Sequence, residues 1–353
     1  MPNEREGHSG TAGLPADSGE DGPVFRVKDV LQPFDSTSQG GSAILGFGSD
    51  EGVRRNGGRV GAAGGPGAIR NIFARLPVHR PATLYDAGDI LCADGDLEAA
   101  QSLYADRVAA LLERNIRPVA LGGGHEIAYG SFLGLARHLG DRLASTNVLI
   151  VNFDAHFDLR LASKPNSGTP FREIAELCAA RGATFSYLCF GISELGNTSA
   201  LFNRAKALGV EYRLDEEMRS SNFDSLRSTL LKRLEGADMV YLSIDLDVLP
   251  AAVAPGVSAP AARGVALEIL EDLVDEILRT GKLTLADIAE LNPVFDRDDQ
   301  TARVAARLAY RLALASRSEP GEGCTATRRR SSSCDRHGHP PMPSDGDEEK
   351  KAI

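Results

Sequence analysis

Three residues at alternate positions, Asp154, His156 and Asp158, follow directly on the β-branched and aliphatic run Val148-Leu-Ile-Val-Asn-Phe153. Such a run reads as a strand buried on both faces. If the chain stays extended beyond it, residues two apart point the same way, and the spacing predicts three side chains on one face. Carboxylates at the rim of an apolar core are costly to desolvate unless a positive charge holds them. A metal ion is the natural holder. For this stretch alone, the plain alternative is a strand that ends in a solvated polar turn.

Similar groups recur along the chain. His125 stands in Gly122-Gly-Gly-His-Glu126 after the apolar Pro118-Val-Ala-Leu121, Asp245 and Asp247 follow Met239-Val-Tyr-Leu-Ser-Ile244, and Glu290 closes the last apolar run. Each has an innocent reading: a tight turn, a strand end capped by water, half of a buried ion pair. Four such strand ends together point elsewhere, because ligands of parallel α/β sheets gather at the carboxyl ends of strands. Asp154, Asp158, Asp245 and Asp247 bring four negative charges, and His125 and His156 two neutral nitrogens. One divalent ion would leave a crowded anionic cluster; two would neutralise it. Oxygen-rich ligation with two imidazoles and no thiolate suits manganese, with iron, cobalt, nickel and zinc less favoured. Two such ions can share a hydroxide that is a strong nucleophile at neutral pH. The expectation is a binuclear hydrolase site. His8, His79, His138, His337 and His339 lack this context.

The elements that must position these residues follow from the apolar pattern. Ser42 to Phe47 reads as a first strand, followed by a Gly-rich polar loop from Gly48 to Arg59. Pro66 opens a helix, where its missing N–H costs nothing. Thr83 to Tyr85 reads as a short strand, and Asp96 to Asn115 as an amphipathic helix burying Leu97, Ala100, Leu103, Tyr104, Val108 and Leu111. Helices are expected to about Leu139 and over 171–180, 198–208, 223–234, 265–279 and 301–314. Strands are expected over 186–190, 210–212, 239–244 and 283–291. This alternation implies βαβ units and a parallel sheet. Residues 1–22 and 317–353 are polar, poor in apolar side chains and expected to be disordered, leaving one domain over 23–316.

Composition narrows the class. The 353 residues carry a net charge of −10, so no basic field draws nucleic acid or an anionic membrane. No apolar run approaches the roughly 18 residues of a membrane span, and the N-terminus lacks the core of a signal peptide. Five cysteines, odd in number and without a CxxC pair, fit reduced thiols in the cytoplasm. The expected partner is a small-molecule substrate, with no nucleic acid and no membrane; a homo-oligomer is left open.

The order Gly-Gly-Gly-His-Glu, Asp-Ala-His-Phe-Asp, Ser-Ile-Asp-Leu-Asp, Glu-Leu-Asn-Pro resembles the arginase/agmatinase (ureohydrolase) family over about residues 40–316. That resemblance implies an α/β fold, a three-layer αβα sandwich about a mostly parallel, roughly eight-stranded sheet. It also implies two Mn2+ per chain: His125 and Asp158 on one ion, His156 and Asp247 on the other, with Asp154 and Asp245 bridging. Glu290 then stands where the family holds a cationic guanidinium or amidine. Within the family, the loop from Asp50 to Ala62, Asp158-Leu-Arg160, Ser167-Gly-Thr-Pro-Phe171 and Leu249 to Pro260 resemble the formimidoylglutamase branch. Those enzymes cleave N-formimidoyl-L-glutamate to L-glutamate and formamide in histidine degradation. Ser167 stands where arginases carry a histidine, and Leu249 replaces the Asp of their Asp-Pro pair. Both departures argue against arginine as substrate.

Substrate chemistry points the same way. Formimidoylglutamate carries a cationic amidine at one end and two carboxylates at the other. Glu290 can pair with the amidine through a charge-assisted hydrogen bond, and Arg160 is a natural bidentate clamp for a carboxylate. The Ser167-Gly168-Thr169 turn, with Thr169 capping and Pro170 opening the next helix, could add backbone amides for an anion. Asn56 and Arg59 are candidates for the second carboxylate. In the expected mechanism the metal-bridging hydroxide attacks the formimidoyl carbon, Glu290 and the metals stabilise the intermediate, and Asp158 relays a proton to the departing nitrogen. Competing readings are another ureohydrolase (arginase, agmatinase or a guanidino-acid hydrolase) and a metal-poor, non-catalytic binding subunit.

Overall fold

The computed structural model describes residues 24–315, and the expectations for the two chain ends lie outside the described residues. In chain order the elements are α1 (Val27–Val30), β1 (Leu31–Pro33), β2 (Ser42–Gly48), α2 (Glu51–Arg55), α3 (Gly65–Phe73), β3 (Leu84–Leu91), α4 (Leu97–Glu113), β4 (Arg117–Gly122) and α5 (Ile127–Leu139). Then come β5 (Val148–Phe153), α6 (Pro170–Ala180), β6 (Ser186–Ile192), α7 (Ser199–Ala207), β7 (Glu211–Leu214), α8 (Phe223–Glu235), β8 (Met239–Asp245), α9 (Leu267–Arg279), β9 (Leu283–Ala289) and α10 (Gln300–Leu314).

All neighbouring strands are parallel, in the order β1-β3-β2-β4-β9-β8-β5-β6-β7. Strand residues alternate between two cores, as the twofold period of a strand requires. Leu149, Val151 and Phe153 of β5 pack with α3, α8, α9 and α10 on one face. Val148 and Ile150 pack with α4, α5 and α6 on the other. The result is three layers, helix on sheet on helix, and it explains why the central strands read as unbroken apolar runs. Among the described residues no helix is long and apolar enough to cross a membrane.

Several elements differ from the sequence reading, each for a physical reason. The sheet has nine strands because β1, only three residues long, adds to the edge beside β3. β3 itself runs on to Leu91 through polar and Gly residues that carry no strand signal. The Gly-rich loop contains a short helix, α2, whose Glu51 pairs with both Arg54 and Arg55. On α4 Leu103 is 61% exposed, while Gln101 is buried in its stead. The buried stripe runs through 97, 101, 104, 108 and 111, and Gln101 is tolerated in it because its Nε2 donates to the carbonyl of Glu126 at 2.8 Å.

Four adjacent strands in the middle of the sheet, β4, β9, β8 and β5, are paired so that Leu121 meets Ile288, Ile244 meets Ile288 and Phe153 meets Ile244. Their carboxyl ends therefore finish level with one another. This is also where the strand order reverses: β1 to β4 occupy one half of the sheet, β5, β6 and β7 run outward to the other edge, and β8 and β9 return to fill the middle.

Candidate active site and metal centre

The turn after β4 brings in His125. Gly123 must be glycine here: a Cβ would lie 1.7 Å from the Ser49 carbonyl oxygen. That close approach lets the Gly123 amide donate to Phe47 and the Gly124 amide to Ser49, both at 2.8 Å, locking the turn against the end of β2. The His125 side chain is buried. Its Nε2 lies 2.9 Å from Ser243 Oγ, and Ser243 donates to Asp287 Oδ1 at 2.6 Å. The serine hydroxyl proton is thus engaged, so Ser243 accepts from Nε2–H and Nδ1 presents its lone pair.

That lone pair faces three carboxylates. Asp154 Oδ2, Asp158 Oδ2 and Asp245 Oδ2 lie 3.1, 3.0 and 3.1 Å from Nδ1, a buried atom with no hydrogen bond of its own. Four electron-rich atoms converging in a buried space need a cation between them. A second group stands beside the first: His156 Nδ1 is 3.0 Å from Asp247 Oδ2 and 3.5 Å from Asp154 Oδ1. Asp154 serves both groups, one oxygen towards each histidine. The donor atoms form two clusters of metal-ligating type, His125/Asp154/Asp158/Asp245 and Asp154/His156/Asp247. Asp245 joins the first cluster through Oδ2, while its Oδ1 accepts the Asp247 amide at 2.8 Å. The donor set, six oxygen- or imidazole-bearing side chains without a thiolate, fits two hard or borderline divalent cations.

The trio at 154, 156 and 158 converges, but not by extension. β5 ends at Phe153, and Asp158 has a left-handed backbone with φ +50°. The amide of His156 folds back onto Asp154 Oδ1 at 2.6 Å. A turn, not a pleat, aims these side chains. Glu290, just past β9, is likewise left-handed at φ +70°, and its amide donates to the Gly123 carbonyl at 2.8 Å.

Burial sets the protonation of the cluster. It raises Glu290 to about 8, with Glu126 adding to the effect. It raises Asp158 to about 6, helped by the charge of Asp154. It pushes Asp245 well above the usual carboxylate range, with Asp247 and Asp154 reinforcing it. Burial alone would lower His125, but Asp154, Asp158 and Asp245 outweigh it and hold this imidazole well above its ordinary value. Asp247, ahead of the opposing effect of burial, does the same for His156. Without metal, the cluster offsets its own repulsion with protons.

A cavity of about 280 Å3 opens onto this cluster, lined by His125, His156, Asp158, Asp245, Asp247 and Glu290 on one part and by Asn56, Gly57, Gly58, Arg59, Arg160, Ser167, Ser258 and Ala259 on the rest. Glu290 Oε1 accepts the His125 amide at 2.9 Å, while its Oε2 is buried and without a partner. Arg160 Nη1 reaches Asn56 Oδ1 at 3.3 Å, and Asn56 Nδ2 donates to Ser167 Oγ at 3.1 Å. Among the described residues no carboxylate pairs with the Arg160 guanidinium. Gly168 lies beneath that side chain, where a Cβ would come within 2.8 Å of Arg160 Cδ. It gives room to the arginine and does not line the cavity.

Two further candidates have much of their hydrogen-bonding capacity already taken. Thr169 stands at the helix N-cap but makes no side-chain cap; its buried hydroxyl binds Asn166 O at 2.9 Å and Glu173. The Phe171 amide is taken by the Asp158 carbonyl at 3.2 Å. The turn therefore shapes the wall instead of offering a free anion site. Arg59 lines the cavity, yet its Nε donates to Ser258 O at 2.9 Å, its Nη2 to Val257 O, and its guanidinium lies 4.1 Å over the Phe295 ring. Much of its donor fork is occupied.

Sequence reasoning missed the support behind His125. Asp287 is buried and accepts from Ser131, Tyr241 and Ser243, each at 2.6 Å. A lone acid inside the apolar run Leu-Ala-Asp-Ile was the available signal, because a buried carboxylate must find donors.

The chain is similar to curated proteins along most of its length. It is 52% identical over 308 residues to a formimidoylglutamase of Paraburkholderia xenovorans (strain LB400), covering 84% of this chain and 96% of that protein. It is 53% identical over 297 residues to one of Aeromonas salmonicida (strain A449), covering 83% and 94%. Among solved structures, formimidoylglutamase from Bacillus subtilis matches with a TM-score of 0.73 at 25% identity, over 84% of this chain and 95% of that one. Trypanosoma cruzi formiminoglutamase with Mn2+ matches with a TM-score of 0.72 at 26% identity, over 83% and 98%. Matched by the family's model from residue 41 to residue 315, and alike to these relatives over most of its length, the chain belongs to the Arginase family.

Proposed function

We propose that this protein is a formimidoylglutamase, which hydrolyses N-formimidoyl-L-glutamate to L-glutamate and formamide with two manganese ions. The observation that carries the reading is one cavity with a free carboxylate oxygen on Glu290 and, on Arg160, a guanidinium held by Asn56 and paired with no carboxylate among the described residues. A substrate with an amidinium at one end and carboxylates at the other matches that pairing of charges. The names of the half-identical relatives support the same substrate.

His125, Asp154, Asp158 and Asp245 would hold one ion, and Asp154, His156 and Asp247 the other. When bound, the pair would acidify a shared water and so supply hydroxide at neutral pH. The chain's own residues do the rest. Glu290 Oε2 accepts from the amidinium and holds the formimidoyl carbon in reach of the ligand cage, while Arg160, steadied by Asn56, binds a carboxylate of the glutamate portion. As oxygen adds to that carbon, Asp158 takes the proton released and delivers it to the glutamate nitrogen. The C–N bond then breaks, releasing neutral formamide and the free amine of glutamate, which takes up the proton set free when the water was ionised and leaves as its ammonium. Among the described residues Cys92, Cys178 and Cys189 form no disulfide, which agrees with a cytoplasmic enzyme.

The deciding experiment supplies manganese and compares formamide release from formimidoylglutamate with urea release from arginine and agmatine. Formamide release that exceeds both urea reactions supports the assignment. Dominant urea release would move the chain to another branch of the family, and inactivity on all three with no bound metal would make it a binding subunit.

A further inference from the structure

The residues assigned to the substrate's carboxylates stand on two separate loops, 49–61 and 154–169. Asn56 joins them by holding Arg160 and Ser167. Immediately before Asn56, Arg55 is a cation whose side chain is only 13% exposed. Its Nε donates to Glu51 at 2.8 Å, its Nη1 to Glu98 Oε1 at 3.0 Å and to the Pro165 carbonyl at 3.1 Å. Its Nη2 donates to the Gly95 carbonyl at 3.2 Å and Glu98 Oε2 at 3.1 Å. One planar fork thus ties α2, the turn before α4, the first turn of α4 and the 154–169 loop. A lysine ammonium is a single point on a flexible stem and does not span those four directions. The start of the same loop is held separately, where Glu126 Oε1 accepts from Ser49 Oγ at 2.8 Å and the Gly52 amide at 3.0 Å.

We propose that Arg55 is a positioning residue for substrate specificity: by fixing α2 to the 154–169 loop it sets Asn56 between Arg160 and Ser167, and so aims Arg160 at the substrate's carboxylate. Arg55 does not line the cavity and touches no member of the ligand cage. Its effect falls on recognition and leaves the hydrolytic chemistry in place. The inference rests on the formimidoylglutamate reading given above.

The test uses the full chain loaded with manganese, carrying Arg55→Lys, Arg55→Met or Glu98→Gln. Glu98 is half exposed, so its replacement keeps the fold while loosening the fork. With Arg55→Met the KM for formimidoylglutamate should rise about tenfold with kcat within about twofold, as expected for a displaced binding group. Arg55→Lys and Glu98→Gln should shift KM less, in the same direction. Calorimetric affinity for L-glutamate should weaken in parallel while manganese content stays at the wild-type level. An unchanged KM and glutamate affinity in all three variants overturns the proposal. So does a fall in kcat as large as the rise in KM, or a loss of metal, either of which marks a general structural role. If the wild type releases no formamide, the function is wrong, and glutamate affinity in wild type against Arg55→Met still decides the role of Arg55.

Discussion

The 2.9 Å contact between His125 Nε2 and Ser243 Oγ determines which nitrogen of the imidazole faces the carboxylate cage. Ser243 has its proton on Asp287, so it can only accept from His125. Ser243→Ala frees the ring to rotate and to change tautomer. Manganese affinity should drop roughly 10- to 100-fold, the usual consequence of losing the partner of a metal-ligating histidine. Turnover at saturating manganese should stay near the wild-type level. A metal titration followed by activity reads both, and an affinity equal to wild type would refute the link.

Asp158 lies at the junction of cage and cavity. Asp158→Asn keeps the shape and one ligating oxygen but cannot carry a proton. We expect kcat to fall about 100-fold or more, within the range for general acid–base groups. Stopped assays at matched metal content provide the check; full turnover would remove Asp158 from proton transfer.

Arg160→Ala removes the guanidinium that Asn56 steadies. Losing a hydrogen bond to a charged group costs about 1.5–3 kcal/mol, so KM for formimidoylglutamate should rise roughly 10- to 100-fold. Inhibition by L-glutamate should weaken equally. Unaltered kinetics would rule out the clamp.

Removing the metals makes stability depend on pH in a definite direction. Burial raises Glu290 to about 8, Glu126 to about 7 and Asp158 to about 6, and the carboxylates hold His125 and His156 up as well. All of these bind protons more tightly folded than unfolded. Their contribution is complete below the unfolded carboxylate range and is lost as pH rises through the folded values. Glu126 alone accounts for on the order of 3 kcal/mol across that window. Chelated protein should therefore melt at a lower temperature at pH 8 than at pH 6, with Glu126→Gln flattening the difference. Manganese should restore more at pH 8 than at pH 6. A metal-free Tm that climbs from pH 6 to pH 8 would contradict this.

How much of this was written in the chain differs from residue to residue. Asp154, Asp245 and Glu290 were legible because an acid directly after an apolar run marks a strand end in a parallel sheet. That β4, β9, β8 and β5 lie side by side was not legible, since strand order depends on packing between distant segments. Ser243 and Asp287 were hidden inside apolar runs, where a polar residue looks like an interruption until its partner is known. The left-handed turn at Asp158 has no local signature either, because Asp is tolerated there almost as quietly as Asn. Arg55 looked like one charge among several on a polar loop, and only its burial separates it from Arg54.

The interleaved order of the four central strands has a consequence for how the enzyme comes into being. His125 and the Asp154 segment emerge early from the ribosome, but β8 and β9, which slot between their strands, emerge more than 80 residues later than β5. Until then β4 and β5 each present an unpaired edge, and closing so long a loop makes for slow, non-local assembly. A nascent chain that ends before β8 has neither Asp245 nor Asp247 to offer, so a complete metal cage must wait until β8 has been made.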